Sequence, residues 1–236
     1  MIPKKIHYVW VGGKEKPLDI KRCMDTWKNH LQDYEIIEWN EQNFDIESHP
    51  FAKAAYKAKK WAYVSDYIRA YVIYNEGGIY LDTDVLILDN FDDFLSHRAF
   101  VGYENSNYPF TAVFGAEKGH PFVKDMLDYY DDRMFEFDKN DQMKTVNTKS
   151  VSDILIEKYN CKLGNKRQSL REGIEVYKEN IFCNPSYESV SVHVFTGTWM
   201  EGKKPLMRKI NKFLKLRITT KKKAGLFRKY ISKRDK

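Results

Sequence analysis

Cysteine is scarce in this chain, and long apolar runs are missing. Its 236 residues include three cysteines, Cys23, Cys161 and Cys183. They are widely spaced and odd in number, form no C-x-x-C pair and match no metal-ligand spacing. A disulfide framework or a cysteine-bound metal is therefore not expected, and a reduced, cytosolic protein is the simplest reading. No stretch approaches the ~18–20 apolar residues of a bilayer span. The apolar run in the opening "MIPKKIHYVWVGG" is too short for a secretory signal. Most of the 7 prolines sit near expected element ends, no Pro/Gly/Ser linker divides the body, and there is no internal repeat. One domain is expected, with room for an appendage. Core material is plentiful: 42% of residues are hydrophobic, including 14 Phe, 16 Tyr and 5 Trp, enough to build a sizeable interior.

The net charge of +7 is unevenly placed. Residues 203–236 carry fifteen lysines and arginines against one acid, so the first 202 residues are acidic, at −7. The basic balance thus belongs to a tail, and the expected division is a domain over 1–202 and an appendage over 203–236. Within "PLMRKINKFLKLR", Leu206, Ile210, Phe213 and Leu214 recur at helical spacing, and Leu226, Phe227, Tyr230 and Ile231 repeat the pattern. A basic amphipathic helix adsorbs to anionic membrane surfaces. Equally, it packs on its own domain with the basic side in water. Nucleic-acid binding is the weaker alternative, because no recognised module accompanies the charge.

Along the body, "KKIHYVWVGG" reads as a strand and loop, "PLDIKRCMDTWKNHL" as a helix, and "YEIIEWN" as a second strand. "HPFAKAAYKAKKWAYVSDYIRAYVIYNEGG" reads as a long helix or helix pair stopped by Gly77 and Gly78. "IYLDTDVLIL" then reads as a strand. "AFVGYEN" and "FTAVFGAEKG" suggest two more, and helices are expected from Pro121 and over "SVSDILIEKY". The alternation predicts an α/β fold with a mainly parallel central sheet.

The chemistry concentrates in "GGIYLDTDV". In an extended chain, Tyr80, Asp82 and Asp84 share one face. Two carboxylates so placed repel unless a cation lies near them. Hard cations such as Mg²⁺ and Mn²⁺ favour carboxylate oxygens and complete their shells with water and phosphates. The pair thus reads as half a site, with a phosphorylated ligand as the other half. In α/β sheets such ligands bind beyond the carboxyl ends of strands. Asp66 and Arg69, on the preceding helix with Ser65, either pair across one turn or hold sugar hydroxyls if that face borders the cleft.

"WAYVSDYIRAYVIYNEGGIYLDTDV" resembles the DxD region of glycosyltransferase family 32, which includes yeast initiating mannosyltransferases and bacterial capsular transferases. It is also similar to the large clostridial glucosylating toxins. "IPKKIHYVWVGG" and "YEIIEWNEQNF" match in order, and "VHVFTGTW" is similar to a later segment, I-H-H-x-x-G-S-W, with Val194 and Thr198 as departures. The resemblance covers about residues 1–200. It implies a GT-A fold, a nucleotide-sugar-binding sandwich, and a retaining transfer from an activated sugar with Mn²⁺ or Mg²⁺ as cofactor.

Carried over, the resemblance makes Trp10, beside Val9, the aromatic that stacks on the nucleobase; without it, a core tryptophan is the plainer reading. It places Asp66 and Arg69 against the donor sugar, Asp82 near ribose, sugar or metal-bound water, and Asp84 on the metal. Ser65, Tyr80 and Asn40 are assigned to the donor site. His193 is a candidate third metal ligand, otherwise an ordinary strand histidine, and Trp199 is placed over the diphosphate. Asp82, Asp84, Asp66 and Arg69 are the expected catalytic set. No carboxylate is assigned as nucleophile, and front-face attack is favoured by analogy.

UDP sugars are the preferred donors. The expected acceptor is a glycan, lipid-linked at the inner face of a membrane, in capsular or exopolysaccharide synthesis. The anionic surface would be met by residues 203–236. The alternatives are a protein-modifying transferase and a non-catalytic nucleotide-sugar-binding domain.

Overall fold

A computed structural model of the chain describes residues 1–136, 147–197 and 206–234. The first half alternates strands and helices: β1 (Lys5–Val9), α1 (Leu18–His30), β2 (Glu35–Trp39), α2 (Pro50–Lys57), α3 (Trp61–Glu76) and β3 (Gly78–Leu81). Then follow β4 (Val85–Ile87), β5 (Ala99–Gly102), β6 (Val113–Ala116), α4 (Pro121–Asp128), α5 (Asn147–Tyr159), β7 (Gln168–Leu170) and β8 (Ile174–Tyr177). The short α6 (Glu179–Phe182), β9 (Ser191–His193), α7 (Leu206–Lys215) and α8 (Lys221–Arg234) complete the order. The long Ala-rich stretch is a helix pair, broken where Lys59 takes a positive φ of 56°. Both α2 and α4 start with His-Pro. Each histidine, His49 and His120, accepts the backbone N–H two residues on, and the proline takes the first helical turn.

The main sheet has seven strands in the order β2-β1-β3-β6-β5-β8-β7. It is mixed, which corrects the expectation of a mainly parallel sheet. The β1–β2, β1–β3 and β5–β8 pairs are parallel, and β3–β6, β5–β6 and β7–β8 are antiparallel. The reason lies in the connections. Parallel neighbours need a crossover of roughly a dozen residues or more, usually through a helix. The first three strands have α1, α2 and α3 for this, whereas β5 reaches β6 through residues 103–112 with no helix, and β7 reaches β8 through one tight turn. The run "IYLDTDVLIL" is also not one strand. It breaks after Leu81, and β4 leaves the main sheet to pair antiparallel with β9.

Side chains sort by the two-residue period of the strands. Ile6, Tyr8, Ile79, Leu81, Phe100 and Val113 face α1 residues Trp27 and Leu31 and the phenylalanines Phe91, Phe94 and Phe182. Val9, Tyr80, Val101, Phe114 and Val176 face the other way, toward α2, α3, α4 and α5. The small β4–β9 sheet has a third core on its far side. There Leu86, Leu88, Val192 and Val194 meet Cys23 of α1 and Leu216, Ile218 and Ala224 of the C-terminal segment.

That segment is docked on the body. Lys212 pairs with Asp19 at 2.6 Å, Lys221 with Asp89, and Arg228 with Glu179 at 3.6 Å. The four positions of the first tail stripe do not share one environment. Leu206, Ile210 and Phe213 are exposed, with Met207 beside them, whereas Leu214 is half-buried. In the second cluster Phe227 packs on the body, while Leu226 and Tyr230 remain exposed.

The approach of β3 to β1 is close. A Cβ on Gly78, whose φ is +113°, would lie 2.8 Å from both His7 Nε2 and the Lys5 carbonyl, so glycine is required there. His7 is buried beside it. Its Nε2–H donates to the Gly77 carbonyl at 2.9 Å, and its Nδ1 accepts from Trp39 Nε1–H at 3.0 Å. Only a neutral ring satisfies both bonds, and burial lowers the His7 pKa from 6.5 to about 4. Between those values the unfolded chain binds a proton that the folded chain refuses. The contribution of His7 is therefore full above pH 6.5. It falls by about 3 kcal/mol as pH drops through the window to 4. Urea unfolding measured from pH 7 to pH 4 should show this slope, and His7→Gln should lack that part of it while being less stable at pH 7.

Candidate functional site

The strands β1, β2, β3 and β5 run in one direction, so their carboxyl ends lie along one edge of the sheet. Trp10 follows β1, Asn40 follows β2, Asp82 follows β3 and Glu104 follows β5. The two aspartates do not share a strand face. They flank a turn over residues 82–84, closed by a Val85 N–H to Asp82 carbonyl bond of 3.1 Å. The turn, rather than the pleat, brings their carboxylates together.

Asp82 is held from α3. The guanidinium of Arg69 reaches Asp66 Oδ1 at 2.9 Å and Asp82 Oδ1 at 3.1 Å and lies over the Tyr80 ring, 4.6 Å from its centre. Asp66 and Arg69 are 8% and 7% exposed. Burial pushes the Asp66 carboxyl up, to about 7, against the pull of Arg69. The i, i+3 pair suggested by sequence therefore exists, and the same guanidinium ties it to the aspartate turn. Ser65 faces this group: its Oγ donates to the Ala62 carbonyl and accepts a 3.4 Å contact from Arg69.

Asp84 is held from the opposite side. The β4–β9 pairing sets Val85 opposite His193, and His193 Nε2 lies 3.2 Å from Asp84 Oδ1. Asp84 Oδ2 accepts from the Thr196 N–H at 2.8 Å and the Thr196 hydroxyl at 2.9 Å. The His193 and Asp84 side chains are 12% and 13% exposed. Burial raises the Asp84 carboxyl, but His193 and Thr196 outweigh it and hold it well below the usual carboxylate range. Burial likewise opposes the His193 imidazolium, and Asp84 outweighs it, holding the pKa well above its ordinary value.

Two further charged residues border this group and were not anticipated. Burial raises the pKa of Glu104, with His193, Asp82 and Lys215 also acting on it. Glu104 lies inside the run "AFVGYEN" expected as a strand, and nothing in the sequence sets it apart. Lys215, the last residue of α7, is buried and donates to the His193 carbonyl at 2.8 Å. Burial lowers its pKa. Lys215 lies in a basic run and nothing in the sequence distinguishes it.

The remaining sites suggested by sequence divide. Trp10 and Asn40 line a shared cleft of about 690 Å³ with Gly12, Lys16, Glu38 and Tyr56. Trp10 is half-buried: its indole N–H donates to the Lys14 carbonyl at 2.7 Å, and Lys16 lies 5.4 Å from its ring. Asn40 ties its own turn, donating to Glu38 and accepting from the Gln42 N–H. Val9 is in the core rather than in the cleft. Trp199 and Thr198 lie outside the described residues.

The donor set fits a hard divalent cation. Asp82, Asp84 and His193 each offer a ligand atom, all within 4.8 Å of one another. Carboxylate oxygens with one imidazole suit Mn²⁺ or Mg²⁺, provided that His193 gives up the proton it shares with Asp84 when the cation binds. Besides Asp84, the His193 ring has the Phe195 ring 3.8 Å away, centre to centre, and Cys183 acting on it.

Residues 17–101 match a family described as "Glycosyltransferase sugar-binding region containing DXD motif". The chain is 31% identical over 129 residues to inositol phosphoceramide mannosyltransferase 3 of Schizosaccharomyces pombe, covering 52% of this chain and 35% of the yeast protein. It is 28% identical over 172 residues to an uncharacterised glycosyltransferase of Acanthamoeba polyphaga mimivirus, covering 66% of each. It thus spans about a third of the first relative and about two thirds of the second. A solved apo-form glycosyltransferase of Streptococcus pneumoniae superposes with a TM-score of 0.51 at 8% identity, covering 99% of this chain and 64% of the other. This is a likeness of fold, an α/β sandwich of the GT-A kind. The matched region carries Asp82 and Asp84 of the cluster, and both relatives are named as sugar transferases.

Asp84→Asn should weaken Mn²⁺ binding by tenfold or more, on the order of one charge-assisted ligand. Its thermal unfolding should still be cooperative, and spin-resonance titration of free Mn²⁺ measures the loss.

Proposed function

We propose that this chain is a metal-dependent, retaining glycosyltransferase that moves a hexose from a nucleoside-diphosphate sugar, preferably a UDP sugar, to a glycan acceptor. Among sugar transferases we place it with glycosyltransferase family 32, on the motifs of residues 1–15 and 61–85. The observation that carries the reading is the Asp82–Asp84–His193 cluster at the carboxyl edge of β3, inside the region that matches the DXD family.

The residues divide the work. Asp84, Asp82 and His193 would hold Mn²⁺ or Mg²⁺, which when bound supplies Lewis-acid stabilisation of a leaving diphosphate. Trp10 and Asn40, in the cleft beyond β1 and β2, suit a nucleoside, the indole face offering a stacking surface. Arg69 and Asp66 offer fixed donors and acceptors to sugar hydroxyls, and Tyr80 supports the guanidinium from below. With α3 rigid beneath them, these groups orient the donor without reorganising. Glu104, just beyond β5, borders the same group. Retention by front-face attack follows the family analogy.

For the acceptor we favour a lipid-linked glycan in capsular or exopolysaccharide synthesis, with the enzyme peripheral on the cytoplasmic face of a membrane. Three observations support this. No described helix is long and apolar enough to cross a bilayer. Leu206, Met207, Ile210 and Phe213 are exposed on α7 amid lysines and arginines. The yeast relative is named for a phosphoceramide acceptor.

With a panel of nucleotide sugars and Mn²⁺, one donor should yield free nucleoside diphosphate. Asp84→Ala or Asp82→Asn should reduce turnover by about a hundredfold or more, the scale of losing a charge stabiliser in the transition state. Near-wild-type transfer after chelation would overturn the reading. Separately, the full chain should sediment with phosphatidylserine vesicles at low salt. Joint replacement of Leu206, Ile210 and Phe213 by serine should release it, since each buried apolar side chain is worth about 1.5–3 kcal/mol.

A further inference from the structure

On the reading that this edge binds a nucleoside-diphosphate donor, we propose that Lys215, brought in by the C-terminal helical segment, is a further phosphate-binding residue of the site. Its ammonium would hold a non-bridging oxygen of the donor's diphosphate. The basic tail is then a structural part of the donor site as well as an appendage.

Lys215 differs from the other tail lysines that dock on the body. Lys212 and Lys221 each meet a carboxylate, Asp19 and Asp89. Lys215 is 9% exposed. Among the described residues its Nζ has one hydrogen-bond acceptor, the neutral carbonyl of His193, at 2.8 Å. The Phe195 ring lies 4.6 Å from Nζ. An ammonium has three N–H donors, so two remain without an acceptor, and a buried cation with one neutral acceptor is costly unless an anion completes it.

The location supplies the anion. The carbonyl that Lys215 grips belongs to a residue of the Asp–Asp–His cluster, so a diphosphate bound to a cation there would come near the ammonium. The two aspartates already have cationic partners, Arg69 on Asp82 and His193 on Asp84. This leaves Lys215 as the cation of the site with no carboxylate at ion-pair distance among the described residues; Asp84 and Glu104 act on it only from farther away. A lysine that only fastened the tail would need one donor and no charge. Glutamine could serve that purpose without placing a charge in the interior.

The test separates charge from anchoring and does not depend on the identity of the nucleotide or sugar. Mn²⁺ alone, and inorganic pyrophosphate in the presence of Mn²⁺, are titrated calorimetrically into the full chain and into K215Q, K215M and K215R. K215Q can keep the bond to the His193 carbonyl without the charge, so it remains informative if K215M does not fold. The expected result is pyrophosphate affinity reduced about tenfold or more in K215Q and K215M, the scale of one charge-assisted hydrogen bond. K215R should keep most of the affinity, and Mn²⁺ binding alone should be unchanged or slightly tighter in the neutral variants. Wild-type pyrophosphate affinity in K215Q would overturn the proposal, as would parallel loss of Mn²⁺ and pyrophosphate, which would mean that Lys215 only holds His193. If the wild-type chain binds neither probe, the reading of the site as a metal–diphosphate centre fails, and this proposal fails with it.

Discussion

Repulsion between the carboxylates of Asp82 and Asp84 is the constraint that the surrounding structure answers. Two acids whose ligand atoms lie within 4.8 Å of one another and of an imidazole repel unless positive charge stands near them. The fold supplies it from separate elements. Arg69 comes from α3 and His193 from β9, each at ion-pair distance from an aspartate, and Lys215 of α7 acts on Asp84 from farther off. Each is placed by packing that has nothing to do with charge: the core between α3 and the main sheet, the pairing of β4 with β9, and the docking of the tail on Leu86, Leu88 and Val192. Loss of any one of these packings would leave a carboxylate or a cation buried alone, which costs several kcal/mol. The acid pair is thus tied to the architecture on three sides.

The break after Leu81 has a purpose in this light. A strand continued through Asp82 and Asp84 would leave both acids on one pleated face, looking toward α3. The turn sends the chain into a second sheet, so Asp82 stays with Arg69 while Asp84 meets His193 and Thr196. The mixed main sheet matters less to the site than its one-directional part. Where β1, β2, β3 and β5 end together, the cleft lined by Trp10 and Asn40 and the acid cluster border the same edge, in keeping with ligand binding beyond the carboxyl ends of strands in α/β sheets.

The charge asymmetry of the chain also takes a structural form. The basic segment is set against an acidic body, and its inner face makes ion pairs and fills a small core. Its outer face keeps an apolar stripe in water, with Phe213 49% exposed. One helix, α7, therefore has two unrelated surfaces: one reaches His193 of the Asp–Asp–His cluster through Lys215, and the other faces away from the protein. Such a helix connects whatever the outer face touches to the site by a single turn of backbone.

Much of the element order was legible because it rests on local physics. The helix stops at Gly77 and Gly78, the His-Pro starts of α2 and α4, and the period-two cores of β1 and β3 are written in short stretches of chain. So was the importance of Asp82 and Asp84, since two acids in an apolar run contradict their surroundings. Direction within the sheet was not legible, because it depends on whether a connection carries a helix to cross over, and residues 103–112 do not. Glu104 and Lys215 were invisible for a related reason. Nothing near them in sequence departs from the ordinary, and their charge acquires meaning only from Asp84 and His193, brought from distant parts of the chain. Local pattern determined which elements form and which acids are out of place. Tertiary packing alone decided which cations stand against them, because electrostatic partnership depends on distance in space.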